Sequence, residues 1–204
     1  MIVPTLGGGA ILAALNPGAF DPTLVLWAGI VASVELLPVP AWRGLQVSMG
    51  FPLLIVVGFL HPPIAAGATA LVGSFDPREF RGEVGLLRAL FNRCQVAVSV
   101  FAASSVFHLV ASIETSTTWV LIVAAMLAAI SDYLVNTALV TVGASIHYRM
   151  APGRVIRELR IGRLNEFLIS YLGLGVLALA LAKIFLKTSF WPIPIFVAPL
   201  LLAR

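Results

Sequence analysis

The residues of this chain most able to do chemistry are polar side chains inside long apolar stretches. Asp132 and Asn136 are four residues apart, so a helix would place both on one face. A carboxylate near the middle of a bilayer costs about 2.5–3.5 kcal/mol on insertion scales. We therefore expect Asp132 to be protonated, to pair with an arginine such as Arg88 or Arg93, or to face a wet cavity.

Five further polar residues lie in or at the ends of other apolar segments: Glu35, Asn92, Gln95, Asn165 and Glu166. If the helices that carry them pack together, all these side chains form a cluster in one half of the bilayer, which predicts a ligand-binding or switch site. A simpler interpretation stays open. Asn and Gln between spanning helices often only hold them together, at about 0.6 kcal/mol per hydrogen bond, and the acidic residues can reach the interface.

Signatures of soluble enzymes and of metal sites are missing from the sequence. The segment 173–178 is spelled like a dinucleotide-binding fingerprint, but it lies in an apolar segment with no preceding strand. Cys94 is the only cysteine and the three histidines are scattered, so neither a disulfide nor a metal site is expected. The sequence predicts no catalytic activity, no cofactor and no metal.

The composition indicates what must position these polar residues. Hydrophobic residues make up 60% of the chain and charged residues 11%, against about 45–50% and about 25% in a soluble domain. Since a spanning helix needs about 20 mostly apolar residues, the chain has material for about six to eight membrane segments. The predicted fold is all-α, a polytopic integral membrane helix bundle in which residues 1–204 are a single domain.

Several of the predicted segments are short or broken by proline. Helix continuation is disfavoured at His61–Pro63, and Ile2–Leu15 contains Pro4 and three glycines, which predict a fraying or incomplete helix. The segments, in chain order, are Ile2–Leu15, Thr23–Leu37, Val47–Leu60, Ile64–Gly73, Leu86–Ser112, Thr117–Ile146, Leu164–Phe185 and Phe190–Ala203.

The arginines indicate orientation. Four of them lie in Phe75–Gly85 or within eight residues after it, and five lie in His147–Arg163, whereas Ile113–Thr118 contains no lysine or arginine. By the positive-inside rule, the two basic clusters are cytoplasmic and Ile113–Thr118 is extracytoplasmic. With one crossing per segment, both chain termini lie in the cytoplasm and the protein spans the bacterial inner membrane. If Val47–Gly73 were one broken helix, the orientation upstream of it would reverse.

The segment Met150–Gly162 alternates arginines with apolar residues at helical spacing. This pattern predicts a short interfacial helix, with a charged loop as the alternative. The arginines expected to contact anionic lipid are Arg154, Arg157, Arg160 and Arg163. Because the basic residues are juxtamembrane, the net charge of +4 favours membrane lipid over nucleic acid as the partner.

Four short phrases suggest a family. They are Glu35-Leu36-Leu37-Pro38, Val47-Ser48-Met49-Gly50-Phe51-Pro52, Phe91-Asn92-Arg93-Cys94-Gln95 and Tyr133-Leu134-Val135-Asn136-Thr137. With them, residues 20–204 resemble the N-terminal multi-pass membrane region of bacterial signalling proteins that carry an HD-GYP phosphodiesterase or a GGDEF cyclase domain for cyclic di-GMP. The resemblance implies a sensor-like region that precedes a catalytic domain. The sequence contains no HD or GGDEF motif, so the resemblance implies no catalytic residue here.

The functional hypothesis is a membrane-embedded sensory or input module of a bacterial signalling protein, without a catalytic domain in this sequence. Two other classes stay open: an accessory subunit of a larger membrane complex, and a small-molecule-binding membrane subunit of a transporter. In each case we expect membrane lipids and a homo-oligomer or other membrane subunits as neighbours.

Overall fold

The computed structural model describes residues 1–36, 39–40, 46–47, 50–158, 171–189 and 191. Its helices are α1 (Ile2–Leu15), α2 (Thr23–Glu35), α3 (Gly50–Leu60), α4 (Pro63–Gly73), α5 (Pro77–Phe80), α6 (Leu86–Val110), α7 (Thr118–Tyr148), α8 (Pro152–Glu158) and α9 (Gly173–Thr188). A 3-10 turn, Pro17–Ala19, follows α1, and the strands β1 (Val39–Pro40) and β2 (Gln46–Val47) pair in antiparallel. The predicted all-α class is confirmed.

Two of the described helices are long and apolar enough to cross a membrane. They are α6, with 25 residues, and α7, with 31. At 1.5 Å per residue these helices extend about 37 Å and about 46 Å, more than the hydrocarbon thickness of about 30 Å. The apolar helices α1 to α4 have 10–17 residues each, so the number of crossings stays a prediction.

The chain reverses direction between α3 and α4. Gly50, at the start of α3, lies against Glu35 near the end of α2, and Gly73, at the end of α4, lies against Val31, one turn away on the same helix. The two short helices are therefore an antiparallel pair that turns at His61–Pro63, and the alternative of one broken helix is wrong. The turn follows from the prolines, since neither can donate the amide hydrogen bond that would continue α3.

Helix α6 supplies the donors that the prolines lack. In a continuous helix the amide of residue 62 would donate to the carbonyl of Gly58, but Pro62 has no N–H. The Ser104 hydroxyl donates to that carbonyl at 2.7 Å instead. One turn later, His108 Nε2 lies 3.0 Å from the His61 carbonyl oxygen. These contacts fix the α3–α4 turn to the C-terminal half of α6.

Helix α9 packs closely along α7. A Cβ on Gly175 would lie 3.0 Å from the Cβ of Ala129 and 3.3 Å from the carbonyl of Ala125, so glycine permits the approach. This is the close packing expected of small residues four apart. Farther along α9, Lys183 donates to the Ile113 carbonyl in the α6–α7 loop. Helix α9 therefore runs antiparallel to α7.

The helices thus define two ends of the bundle. The end that carries α5, α8 and the start of α6 is the basic end, because it holds the arginine clusters. The end that carries the His61–Pro63 turn and the Ile113–Thr118 loop is the distal end. The packed pairs α4 and α6, α6 and α7, and α7 and α9 each run antiparallel between these two ends.

Helix α5 joins α4 to α6 at the basic end. The Asp76 carboxylate accepts from the Arg78 amide at 2.9 Å, and Glu79 accepts from the Asp76 amide, which completes a capping box. Arg93 of α6 pairs with Glu79 and lies 4.0 Å above the Phe75 ring. The sequence analysis placed no helix here, because a single turn is too short for a hydrophobic period.

Most predicted segments correspond to helices, with shifts of one to three residues at their ends. Helix α1 covers the first segment without a break at Pro4 or its glycines, and with 14 residues it is one of the shorter apolar helices, so its fraying stays a prediction. The helix predicted within Met150–Gly162 is found in part as α8, in which Val155 is buried and Arg154 and Arg157 are exposed, and its place at a membrane surface stays a prediction. Leu37, residues 164–170 and the segment 192–203 lie outside the described residues.

Candidate functional site

A buried polar cluster lies where α6, α7 and the start of α9 meet. Its five members, hereafter the polar cluster, are Gln95, Ser99, Asp132, Asn136 and Tyr171. Asp132 is 3% exposed, Ser99 2% and Gln95 7%. Buried polar groups in a helix bundle must find partners within it, because hydrocarbon offers none.

Helical spacing explains how two of these helices present their polar groups. Gln95 and Ser99 are four residues apart on α6, and Asp132 and Asn136 are four apart on α7, so each pair shares one face. The Gln95 side-chain amide donates to Asn136 Oδ1 at 2.6 Å. The two faces therefore point at each other.

Asn136 connects three helices. It accepts from Gln95 of α6 and is hydrogen-bonded to the Tyr171 hydroxyl, in the π-helical turn directly before α9. One carboxamide can do both, since its oxygen accepts while its nitrogen donates. A change in the packing of α6, α7 or α9 would break at least one of these hydrogen bonds.

The Asp132 carboxyl shares the Ser99 hydroxyl with a backbone carbonyl. Ser99 Oγ is hydrogen-bonded to Asp132 and lies 3.0 Å from the carbonyl oxygen of Val96. A hydroxyl carries one proton, so it donates to only one of these oxygens at a time. With Asp132 ionised, the proton points at the carboxylate. With Asp132 protonated, the carboxylic acid can donate to Ser99, and the hydroxyl proton is free for Val96.

The pairing of Asp132 with an arginine, one of the three environments expected from the sequence, is not found among the described residues. Arg93 pairs with Glu79 in the basic-end connection. The Arg88 guanidinium lies 3.2 Å from His147 Nε2, three turns or more along α7 from Asp132. Both arginines are near the helix start, where water and headgroups solvate them more cheaply than the interior does.

Aromatic rings border the polar cluster. The Tyr171 ring lies 5.3 Å from the ring of Tyr133 and 4.9 Å from that of Phe51, both in edge-on arrangements. Tyr171 is thus held at its ring by α7 and α3 and at its hydroxyl by Asn136. Tyr171, directly before α9, therefore joins the start of that helix to both α3 and α7.

The other predicted site residues lie around the polar cluster or outside the described part of the chain. Glu35 is half-buried and its carboxylate fills the space beside Gly50, where a Cβ would overlap it. Asn92 is exposed in the wall of an open cavity between α6 and α7. Four further predicted residues lie outside the described residues: Arg160, Arg163, Asn165 and Glu166.

Two members of the polar cluster were missed by the sequence analysis. Ser99 follows Gln95 by four residues, so the same spacing argument that joined Asp132 to Asn136 would have found it. Tyr171 lies 35 residues after Asn136 in the sequence, and no local pattern indicates that pairing. Among the described residues, no group of three or more His, Cys, Asp or Glu could hold a metal ion.

Comparison with known proteins identifies one matching family model, MASE9, a family of membrane-associated sensor domains, over residues 51–203. No curated protein and no solved structure matches the chain. The matched range contains all five members of the polar cluster and both candidate spans. The chain therefore belongs to the MASE9 family of membrane-associated sensor domains.

Proposed function

We propose that this chain is the membrane-embedded input module of a bacterial cyclic di-GMP signalling protein. Family membership supports a membrane sensor. The resemblance to HD-GYP and GGDEF proteins supports cyclic di-GMP signalling as the output of that sensor. In this proposal about six to eight segments cross the bacterial inner membrane, with the basic end and the C-terminus in the cytoplasm. Lipids and further membrane subunits, or a second copy of the chain, cover the exposed apolar faces.

The polar cluster is the proposed switch, and the burial of Asp132 is the observation that carries the proposal. A carboxyl group that is 3% exposed between three helices has a high cost in its ionised form. A ligand or a protonation change at Asp132 alters which oxygen receives the Ser99 proton. The signal is then a local change of charge that biases two packings of a helix bundle.

Helix α9 is the expected output element. It is joined to the polar cluster through Tyr171, and it leads toward the C-terminal part of the chain. Its closest contact with α7 is made by Gly175, which lies against Ala125 and Ala129. The hydrogen bond between Asn136 and Tyr171 would couple a change in the polar cluster to the position of α9 on α7.

The test is an Asp132→Asn variant of the chain joined to a cytoplasmic cyclase domain whose product is measured. Asparagine imitates the protonated carboxyl and removes titration. A switch worth about 1 kcal/mol would change the output about fivefold. The matched control is Thr141→Val on the same helix, since the buried Thr141 hydroxyl has no hydrogen-bond partner.

The two variants separate switching from packing. The proposal requires that Asp132→Asn changes the output while the unfolding midpoint of the bundle stays near that of Thr141→Val. An Asp132→Asn protein with normal stability and unchanged output would leave the polar cluster as a structural link between helices, and would remove the reason for calling it a switch.

A further inference from the structure

A cavity of about 670 Å³ opens between α6 and α7 at the basic end. Arg88 and Asn92 of α6 face His147 of α7 across it, and Gln95 lies in its wall. None of the proposed switching steps uses this cavity. Its lining combines a cationic group with carboxamides and apolar walls, which is an unusual combination for a gap between two apolar helices.

The charge at the cavity is carried by Arg88. Asp76, Arg78 and Glu79 also line the cavity, but each is paired: Arg78 with Asp76 at 2.6 Å, and Glu79 with Arg93. Within the described residues, no carboxylate pairs with Arg88. Its nearest polar partner is His147 Nε2, at 3.2 Å.

Among the described residues, the contact of Arg88 is with an imidazole nitrogen of His147 rather than with an anionic oxygen. A guanidinium only donates, so His147 Nε2 is the acceptor in this contact. A neutral nitrogen is a weaker partner for a guanidinium than an anionic oxygen, which forms charge-assisted and often bidentate hydrogen bonds. The exposed Asn92 side chain adds an amide donor in the same wall.

The rim of the cavity is apolar and outward-facing. Leu87 is 76% exposed, Ile146 74% and Tyr148 61%, and all three line the cavity. Its inner wall is closed by the Phe91 ring, which approaches so near that a Cβ on Gly143 would lie 2.5 Å from it. A cationic mouth with apolar sides matches a molecule that has an anionic head and hydrocarbon chains.

We propose that this cavity is a binding site for an anionic phospholipid, with its phosphate on Arg88 and Asn92 and its acyl chains along Leu87 and Ile146. Basic pockets between transmembrane helices at the cytoplasmic face recognise anionic headgroups in this way. The site differs from the exposed arginines of α8, which contact a charged surface without a cavity. The proposal holds whether or not the polar cluster switches.

The test is lipid binding by the full chain, measured by native mass spectrometry from detergent. Phosphatidylglycerol is compared with phosphatidylcholine of the same acyl chains. Arg88→Gln should weaken binding of phosphatidylglycerol about tenfold, the effect of one charge-assisted hydrogen bond. Arg81→Gln is the matched control, because Arg81 is exposed at the same end and is not part of the cavity lining. It should change binding less than twofold.

Three other outcomes would contradict the proposed phospholipid site. Equal losses in Arg88→Gln and Arg81→Gln would indicate binding to the general surface charge. Equal affinity for the two lipids would exclude headgroup recognition. Displacement of bound lipid by millimolar glycerol phosphate would assign the cavity to a soluble phosphate ester. Because Arg88 lies at the surface, its replacement by glutamine is expected to leave the fold intact, and the unfolding midpoint of each variant verifies this.

Discussion

Replacing Ser104 by alanine removes the donor that closes the α3–α4 turn. The Ser104 hydroxyl lies 2.7 Å from the Gly58 carbonyl, and Pro62 has no amide proton to take its place. Ser104 is 1% exposed, so water does not reach the freed carbonyl in the native structure. Ser104→Ala should therefore leave a buried acceptor without a partner.

The magnitude follows from the two parts of this change. An interhelical hydrogen bond in a membrane protein is worth about 0.6 kcal/mol on average and about 1.7 at most. An unsatisfied buried carbonyl adds a desolvation cost of about 1–3 kcal/mol. Some of this cost is recovered if α3 shifts toward the distal end. We expect Ser104→Ala to lower the free energy of unfolding by about 1.5 kcal/mol, close to tenfold in the equilibrium constant.

The neighbouring serine provides the control. The Ser105 hydroxyl donates to the Phe101 carbonyl at 2.7 Å, within its own helix. That carbonyl already accepts the helical amide four residues on, so Ser105→Ala removes a redundant donor and should cost less than about 0.5 kcal/mol. Both variants lose one oxygen atom from the same stretch of α6.

Unfolding of the full chain by denaturant in mixed micelles, followed by tryptophan fluorescence, would measure the difference between the two variants. Four tryptophans report on the transition. Equal stabilities of Ser104→Ala and Ser105→Ala would refute the reasoning, because they would mean that the carbonyl orphaned by Pro62 has no need of a side-chain donor.

Two more outcomes are expected. Single cysteines at Thr115 and Arg154 should differ in intact cells: an impermeant thiol reagent labels the first from outside and the second only after permeabilisation, and equal external labelling would disprove the orientation. The hydrogen bond from Arg78 holds the pKa of Asp76 below its ordinary value, so the ionised carboxylate stabilises the fold at neutral pH and this contribution is lost as the pH falls through the folded-state pKa. Asp76→Asn should therefore cost about 0.5 kcal/mol at pH 7 and progressively less below about pH 4 in denaturant titrations; a cost independent of pH would exclude the ion pair as its origin.

Local patterns predicted the parts of the fold that depend on a few consecutive residues. The start of α6 and its length follow from a long apolar segment after a charged one, and the break at His61–Pro63 follows from proline chemistry. The shared face of Asp132 and Asn136 follows from helical spacing. None of these three predictions needs information from another part of the chain.

The pairings between distant segments could not be predicted in this way. Arg93 was a candidate partner for Asp132, but it pairs with Glu79 because α5 folds back beside the start of α6. Tyr171 was not a candidate at all, although it shares a hydrogen bond with Asn136. Single-sequence spacing indicates which face of a helix is polar, and the partner of that face depends on helix order in the bundle.

The contacts of α6 indicate which helices can respond to a change at Asp132. At the distal end α6 is fixed to the α3–α4 turn by Ser104, and at the basic end it is fixed to α5 by Arg93. Between these points its polar contacts are to α7, and through Asn136 to the start of α9. The α7–α9 contact, with Gly175 against Ala129, has no comparable polar anchor along the small-residue stretch itself. A change of charge at Asp132 should therefore shift the start of α9, through Tyr171, relative to α7 while α6 remains in place.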